Sequence, residues 1–317
     1  MQHRQLGTSD LSISVIGYGC WAMGKTFWGD DVVDEESIAA VKLSLQRGID
    51  FFDTAQAYGY GHSERVLGEA LKGVPRDQVI IATKTGLEWD DAQEKIDRNS
   101  SPEYIVSSLE GSLKRLQTDY VDLYQIHWPD ESVPFTESAV AMKELHDAGK
   151  IKAVGVSNFS VEQMEAFMSA CPLHSLQPPY SLLTRDIDTE ILPFCRENNI
   201  GILAYSPMAR GLLTGKYDES ATFPETDGRA GSPMWQGERL KRNVEAVREM
   251  AALAETHGRT VAQLALAWVL AQPGLTCALA GTKRPNQIEE TAEAGDWNLD
   301  AETLQQVETI IEKHGAG

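Results

Sequence analysis

ISVIGYGCWAMGKTFWGDD, residues 13–31, is the stretch whose reading decides the fold. Its first seven residues form an apolar run of strand character. A doubly wound dinucleotide-binding domain places G-x-G-x-x-G directly after its first strand, where that loop opens a helix. Here Gly17, Gly19 and Gly24 have the wrong spacing, and a long aromatic loop follows before the next helical segment. The fingerprint is missing, so a parallel α/β architecture, if the rest of the chain demands one, must be of another kind.

Seven further apolar runs follow: IDFFDT (49–54), VIIATK (79–84), YVDLYQIH (120–127), IKAVGVS (151–157), LHSLQ (173–177), IGILAYS (200–206) and LTCALAG (275–281). Amphipathic segments separate them, and their starts carry local chemistry. Ser101-Pro102 supplies an N-cap and an N1 proline, while Ser160 with Gln163 and Thr260 with Gln263 fit capping boxes. Strand and helix alternate, and parallel strands need such long crossovers. Eight units spread evenly over about 280 residues, with no break in composition, predict one α/β domain over residues 1–317, a closed (β/α)8 TIM barrel. Two segments exceed a minimal barrel: 86–100 after the third strand and 217–240 after the seventh. Both read as long polar loops on the side where barrel chemistry occurs, and so as lids.

The composition sets outer bounds. With 42% hydrophobic and 24% charged residues, the 317-residue chain is that of an ordinary folded protein. A net charge of -19 repels phosphate backbones and anionic lipid, so no nucleic-acid or membrane partner is expected. The four cysteines, Cys20, Cys171, Cys195 and Cys277, form no CxxC pair, which suits a reducing compartment. There is no signal-type N-terminus and no run of ~18 apolar residues, so a cytoplasmic location is expected. The sequence leaves the oligomeric state open.

If the barrel closes, the polar residues ending its strands meet at one mouth: Asp53, Lys84, His127, Ser157, Asn158, Gln177 and Tyr205. Each alone has an ordinary structural reading, as a packed Asp–Lys pair, a turn, or a core histidine. Together they would cost on the order of several kcal/mol in desolvation unless they pair. In FFDTAQAYGYGHSERVLGEALK (51–72), Tyr58 follows Asp53 by five residues. A phenol of ordinary pKa about 10 is a poor acid at neutral pH, and a neighbouring ammonium would lower that value. Lys84 is placed to be that ammonium. Asp53 would hold the lysine charged, and His127 would orient a carbonyl oxygen or share the proton relay. The set describes a proton donor aimed at a developing alkoxide, and it needs a reductant. The seven histidines contain no HxH or HExxH pairing, so no metal site is expected and an organic hydride carrier fits the gap.

Over essentially its whole length the sequence resembles the aldo-keto reductases. The motifs that carry this are DTAQAYGYGHSERVLGEAL, the strand end IIATK, the pair His127-Trp128, VGVSNF, and AYSPMARGLLTGK followed by AGTKRPNQIEE. The resemblance implies a barrel that reduces aldehyde and ketone carbonyls with NADPH, with Asp53, Tyr58, Lys84 and His127 as a catalytic tetrad. It also implies that Ser157, Asn158 and Gln177 bind the nicotinamide carboxamide and that Tyr205 stacks on the ring. Ser206, Pro207, Met208, Arg210, Gly211 and Leu212 would wrap the pyrophosphate, with Lys216 close by. Gly19, Cys20, Trp21 and Asp53 would approach the reactive end, and Gly281, Thr282, Lys283, Gln287 and Glu290 would clasp the adenosine and its 2′-phosphate. Trp21, Tyr60, Trp89 and Trp128 would line the substrate pocket. Gln287 stands where many members carry an arginine for the 2′-phosphate, and Thr291 where an asparagine meets adenine. NADH therefore stays open beside NADPH. Lys216 and the loop 217–240 are more similar to the bacterial and potassium-channel β-subunit branches than to the mammalian aldose reductase branch. Two other functions fit the sequence less well. One is a cofactor-sensing binding subunit, disfavoured because no membrane-docking segment stands out. The other is a metal-dependent barrel hydrolase, disfavoured by the lack of ligand pairs.

Overall fold

The structure, a computed structural model, describes residues 1–25, 32–90, 92, 95–282 and 284–317. Its strands in chain order are β1 (His3–Gln5), β2 (Ser12–Ser14), β3 (Ile16–Gly19), β4 (Phe51–Asp53), β5 (Ile80–Thr85), β6 (Leu87–Trp89), β7 (Ile96–Arg98) and β8 (Val121–Ile126). They continue with β9 (Ile151–Ser157), β10 (Ser175–Gln177), β11 (Gly201–Tyr205) and β12 (Leu275–Gly281). The helices are α1 (Asp34–Gln46), α2 (His62–Ala70), α3 (Pro102–Leu116), α4 (Phe135–Asp147), α5 (Val161–Met168), α6 (Ile191–Glu197), α7 (Gly237–Thr256), α8 (Val261–Ala271), α9 (Pro285–Ala294) and α10 (Ala301–His314).

Strands β3, β4, β5, β8, β9, β10, β11 and β12 close a parallel barrel in that order, so neighbours in sequence are neighbours in space and each crossover carries helix. The expected (β/α)8 barrel is present. The caps read from sequence form as well. Ser101 accepts from the Tyr104 amide, and both capping boxes, Ser160 with Gln163 and Thr260 with Gln263, are complete. The helix VAQLALAWVLA of α8 is apolar on every face because it is buried on every face, packed on β12 between its neighbours α7 and α9.

Two-residue alternation sorts each strand. Phe51, Ala82, Leu123, Ala153, Leu203, Cys277 and Leu279 point inward and fill the barrel, joined from below by Leu6, Leu11 and Ile13 of the β1–β2 hairpin, which plugs the floor. The outward set packs under the helices. Both strand faces are buried, which is why the runs read as almost continuously apolar.

Three expectations change. The run 13–19 is two strands, not one: β2 pairs with the floor hairpin, and the chain crosses into the barrel at Val15, whose amide bonds Gln2 and whose carbonyl accepts from Ala278. The segment 86–100 holds an antiparallel hairpin, β6 with β7, pairing Leu87 with Arg98 and Trp89 with Ile96. Its two three-residue strands are too short to show a period among the surrounding charges. The segment 217–240 ends as loop at Gln236, because α7 already begins at Gly237. Within it Tyr217, Phe223 and Trp235 meet edge to face with centroids 4.8–5.7 Å apart. The Arg229 guanidinium lies 4.0 Å over Phe223 and is gripped by both oxygens of Asp227. Three aromatics scattered through polar text thus make a small core of their own. No described helix is long and apolar enough to cross a membrane.

Candidate active site

The barrel register assembles the site. Asp53 ends β4 beside Gly19, Lys84 of β5 lies opposite Gln125 of β8, and Gln177 of β10 lies opposite Ser157 of β9. Because Phe51, Ala82 and Leu123 face inward, so do Asp53, Lys84 and Gln125 two residues later, one layer nearer the C-terminal mouth.

Lys84 is completely buried, and its three ammonium protons find three acceptors: Asp53 Oδ1 at 2.6 Å, the Thr54 carbonyl at 2.9 Å and the Tyr58 hydroxyl at 3.3 Å. Burial alone would depress its pKa, but the Asp53 carboxylate and the phenol outweigh that and hold it above the ordinary lysine value. Tyr58 is carried by the turn after β4, where Gly59, at positive φ, packs directly on the Gly24 carbonyl. A side chain at 59 would collide there, so the close approach of two glycines fixes the loop that aims Tyr58.

The expected lowering of the Tyr58 pKa does not result. Burial of the phenol is the largest effect, and although Lys84 pulls the value down, the balance is pushed up to about 12. Tyr58 is held as a protonated donor. Its oxygen already accepts from Lys84, so its own proton is left to point elsewhere. His127 lies edge-on to Tyr58 with centroids 5.6 Å apart, and burial followed by the Lys84 charge keeps its pKa well below the ordinary value. It is neutral at pH 7. Its buried Nδ1 has no hydrogen-bond partner among the described residues.

A cavity of about 540 Å³ opens above this group. Gly19, Trp21, Asp53, Tyr58, His127, Trp128, Ser157, Asn158, Gln177, Tyr205, Ser206, Pro207, Met208, Arg210, Gly211, Lys216, Gly281, Thr282 and Gln287 line it. The other residues singled out from sequence lie elsewhere. Cys20 and Leu212 are buried behind the wall, Lys84 sits beneath it, and Glu290 is outside the lining, its carbonyl accepting from Gln263. Tyr60 and Trp89 meet edge to face with centroids 5.6 Å apart outside the lining, and Lys283 lies outside the described residues.

The residues expected to bind the nicotinamide are bonded to one another. Ser157 Oγ donates to the Gln177 carbonyl, Asn158 Nδ2 donates to the His127 carbonyl and to Ser157 Oγ, and the Tyr205 hydroxyl donates to Asn158 Oδ1. Beyond it, Ser206, Ala209 and Arg210 adopt positive φ within five residues, backbone strain concentrated where the chain wraps the cavity. Arg210 is tied to the Gly228 carbonyl, which ties the 217–236 loop to the cavity wall.

The sequence reading did not single out several residues that line the cavity: Leu87 and Ile96 from the hairpin, and Thr214, Tyr217 and Arg229. It also passed over Gln125, fully buried, whose Nε2 donates to Asp53 Oδ2 at 3.2 Å. The signal for Gln125 was available: it is the polar residue two positions before His127 on an otherwise apolar inward face. Among the described residues no group of three or more His, Cys, Asp or Glu side chains could hold a metal ion, and all four cysteines are free and buried. The residues fit an anionic dinucleotide. Arg210 and Lys216 line the cavity, and the buried Thr282 Oγ1 and His127 Nδ1 have no described partner there.

Comparison with known proteins agrees with this geometry. The model of the Aldo/keto reductase family matches residues 15–312. The chain is 46% identical to aldo-keto reductase YhdN of Bacillus subtilis, over 98% of this chain and 94% of the relative. It is 33% identical to the NADH-specific methylglyoxal reductase of Escherichia coli, over 99% and 100%. The solved structure of the glycerol dehydrogenase AKR11B4 from Gluconobacter oxydans superposes with a TM-score of 0.92 at 39% identity, covering 99% of this chain and 96% of that one. The chain belongs to the aldo/keto reductase family and is an oxidoreductase that acts on carbonyl groups.

Proposed function

We propose that the chain is a cytoplasmic NADPH-dependent reductase of small aldehydes and ketones in which Tyr58 delivers the proton. The observation that carries this is the buried Lys84, 2.6 Å from Asp53 and 3.3 Å from the Tyr58 hydroxyl at the base of the cavity. The cofactor, when bound, supplies the hydride. Everything else falls to the chain. Asp53 holds the ammonium, the ammonium stabilises negative charge arising on the Tyr58 oxygen as its proton leaves, and neutral His127 offers an N–H to the carbonyl oxygen. Trp21, Leu87, Ile96 and Trp128 provide an apolar rim suited to uncharged carbonyl compounds.

Arg210 and Lys216 on the cavity wall suit the pyrophosphate that NADPH and NADH share, and Arg229 is already paired with Asp227, so the choice of NADPH rests on the family resemblance. Arg284, adjacent to the adenosine segment, is already 3.7 Å from Glu36. The E. coli relative uses NADH, so the deciding experiment titrates tryptophan-fluorescence quenching with NADPH and with NADH, then follows nicotinamide absorbance with the tighter one over a panel of aldehydes and ketones. Tighter NADPH binding with turnover of uncharged carbonyls supports the reading. Tighter NADH binding removes the cofactor assignment, and binding without turnover of any carbonyl removes the reductase.

A further inference from the structure

The inward face of β8 carries an amide where the fold requires none. Gln125 is fully buried in the barrel layer just below the mouth, a position that leucine fills one layer down at Leu123. A buried amide is costly unless its hydrogen bonds are made. Room has been cleared for it as well. Across the register stands Gly155, and a Cβ added there would come 2.9 Å from Gln125 Cγ and 2.5 Å from Ser175 Oγ.

Asp53 explains the amide. Its Oδ1 takes the Lys84 ammonium, while its Oδ2 faces two amide nitrogens, Gln177 Nε2 at 2.8 Å and Gln125 Nε2 at 3.2 Å. A carboxylate paired with an ammonium only accepts hydrogen bonds, so the end of each amide turned toward it must be the NH2. Neither glutamine can flip. Gln177 Nε2 also lies 3.4 Å from Gln125 Oε1, so its second proton is directed there. Both protons of the Gln177 amide are then engaged below the cavity, and the function Gln177 has left to present to the cavity it lines is its carbonyl oxygen.

We propose that Gln125 is a positioning residue: with Asp53 it locks the Gln177 amide so that Oε1 faces the cavity as an acceptor for the N–H of the cofactor's carboxamide. This rests on the dinucleotide reading above. It also makes the Asp53 carboxylate common to two tasks, holding Lys84 beneath Tyr58 and orienting the group that reads the nicotinamide. Replacing Gln125 by an apolar side chain frees one Gln177 proton, removes one donor from Asp53 Oδ2 and lets the Gln177 amide tilt.

The test compares NADP+ with its 3-acetylpyridine analogue, in which a methyl ketone replaces the carboxamide and no N–H remains to meet Gln177 Oε1. Dissociation constants come from fluorescence quenching of wild type and of Gln125→Met, each with an unfolding curve. In Gln125→Met, NADP+ is expected to bind about fivefold more weakly, the equivalent of one hydrogen bond, while the analogue changes by less than about twofold. Equal weakening of both ligands, or of neither, overturns the proposal, since a merely structural loss cannot distinguish them. Wild type that binds neither NADP+ nor NAD+ would instead remove the cofactor reading itself, and this inference with it; where only NAD+ binds, the same comparison is made with NAD+ and its 3-acetylpyridine analogue. Should Gln125→Met fail to fold, Gln125→Asn, which keeps an amide one methylene short of Asp53, is expected to show the same selective loss.

Discussion

Tyr58 shows what a single side chain owes to its surroundings. Burial pushes its pKa up to about 12 against the pull of Lys84, so the chain holds a proton donor rather than a phenolate. Tyr58→Phe keeps the ring and loses the proton. Turnover is expected to fall by about 10²- to 10⁴-fold with cofactor binding retained, checked by steady-state assay beside fluorescence titration. His127 carries the opposite constraint. Its folded pKa lies well below the ordinary value, so below about pH 6.5 the unfolded chain binds a proton that the folded chain refuses. The stability this allows is complete above pH 6.5 and is lost as pH falls toward the folded value. Relative to His127→Gln, wild type should lose up to about 1.4 kcal/mol per pH unit across that window, measured by urea unfolding at pH 7, 6 and 5. The identities of both residues were legible in the sequence. The direction of the Tyr58 shift was not, because pairing with Lys84 follows from strand spacing whereas burial depends on what the whole mouth places around the ring.

At the scale of elements, the site depends on which strands stand side by side. Gly155 on β9 leaves the space that Gln125 of β8 occupies. Gly155→Ala is expected to destabilise the protein by about 1–3 kcal/mol through overpacking, read as a lower denaturation midpoint with an unchanged denaturant slope. The β6–β7 hairpin is the other decisive element, since it brings Leu87 and Ile96 to the cavity rim. Ile96→Ser should raise KM for an alkyl aldehyde about fivefold with kcat little changed, the mark of lost uniform binding, measured against a polar aldehyde as control. The barrel strands were readable because buried parallel strands are apolar throughout, and the helix starts because capping is local chemistry. The hairpin escaped notice because pairing between three-residue strands is a contact across the loop that leaves no period in its text. The aromatic cluster of Tyr217, Phe223 and Trp235 escaped for the same reason: residues six and twelve apart in polar sequence show no pattern until the loop folds back.

For the whole molecule, closure of the barrel gathers the ends of eight strands at one mouth, and a ligand bound there touches most of them. A dinucleotide at one hundred times its dissociation constant should add about 2.7 kcal/mol to stability, and of NADPH and NADH at equal concentration the preferred one should raise Tm more, measured by thermal unfolding. The sequence by itself determined the alternation of strands and helices, the barrel rather than the doubly wound sheet, and the polar residues Asp53, Lys84, His127 and Gln177 that end the strands. Each of these is written locally, in periodicity, spacing or the absence of a glycine fingerprint. Only the tertiary structure decided that Gln125 joins Asp53 and Gln177, that Leu87, Ile96 and Arg229 reach the cavity while Tyr60 and Trp89 turn to each other, and that burial outweighs charge at Tyr58. Register, burial and desolvation are sums over residues far apart in the chain, and no window of sequence contains them.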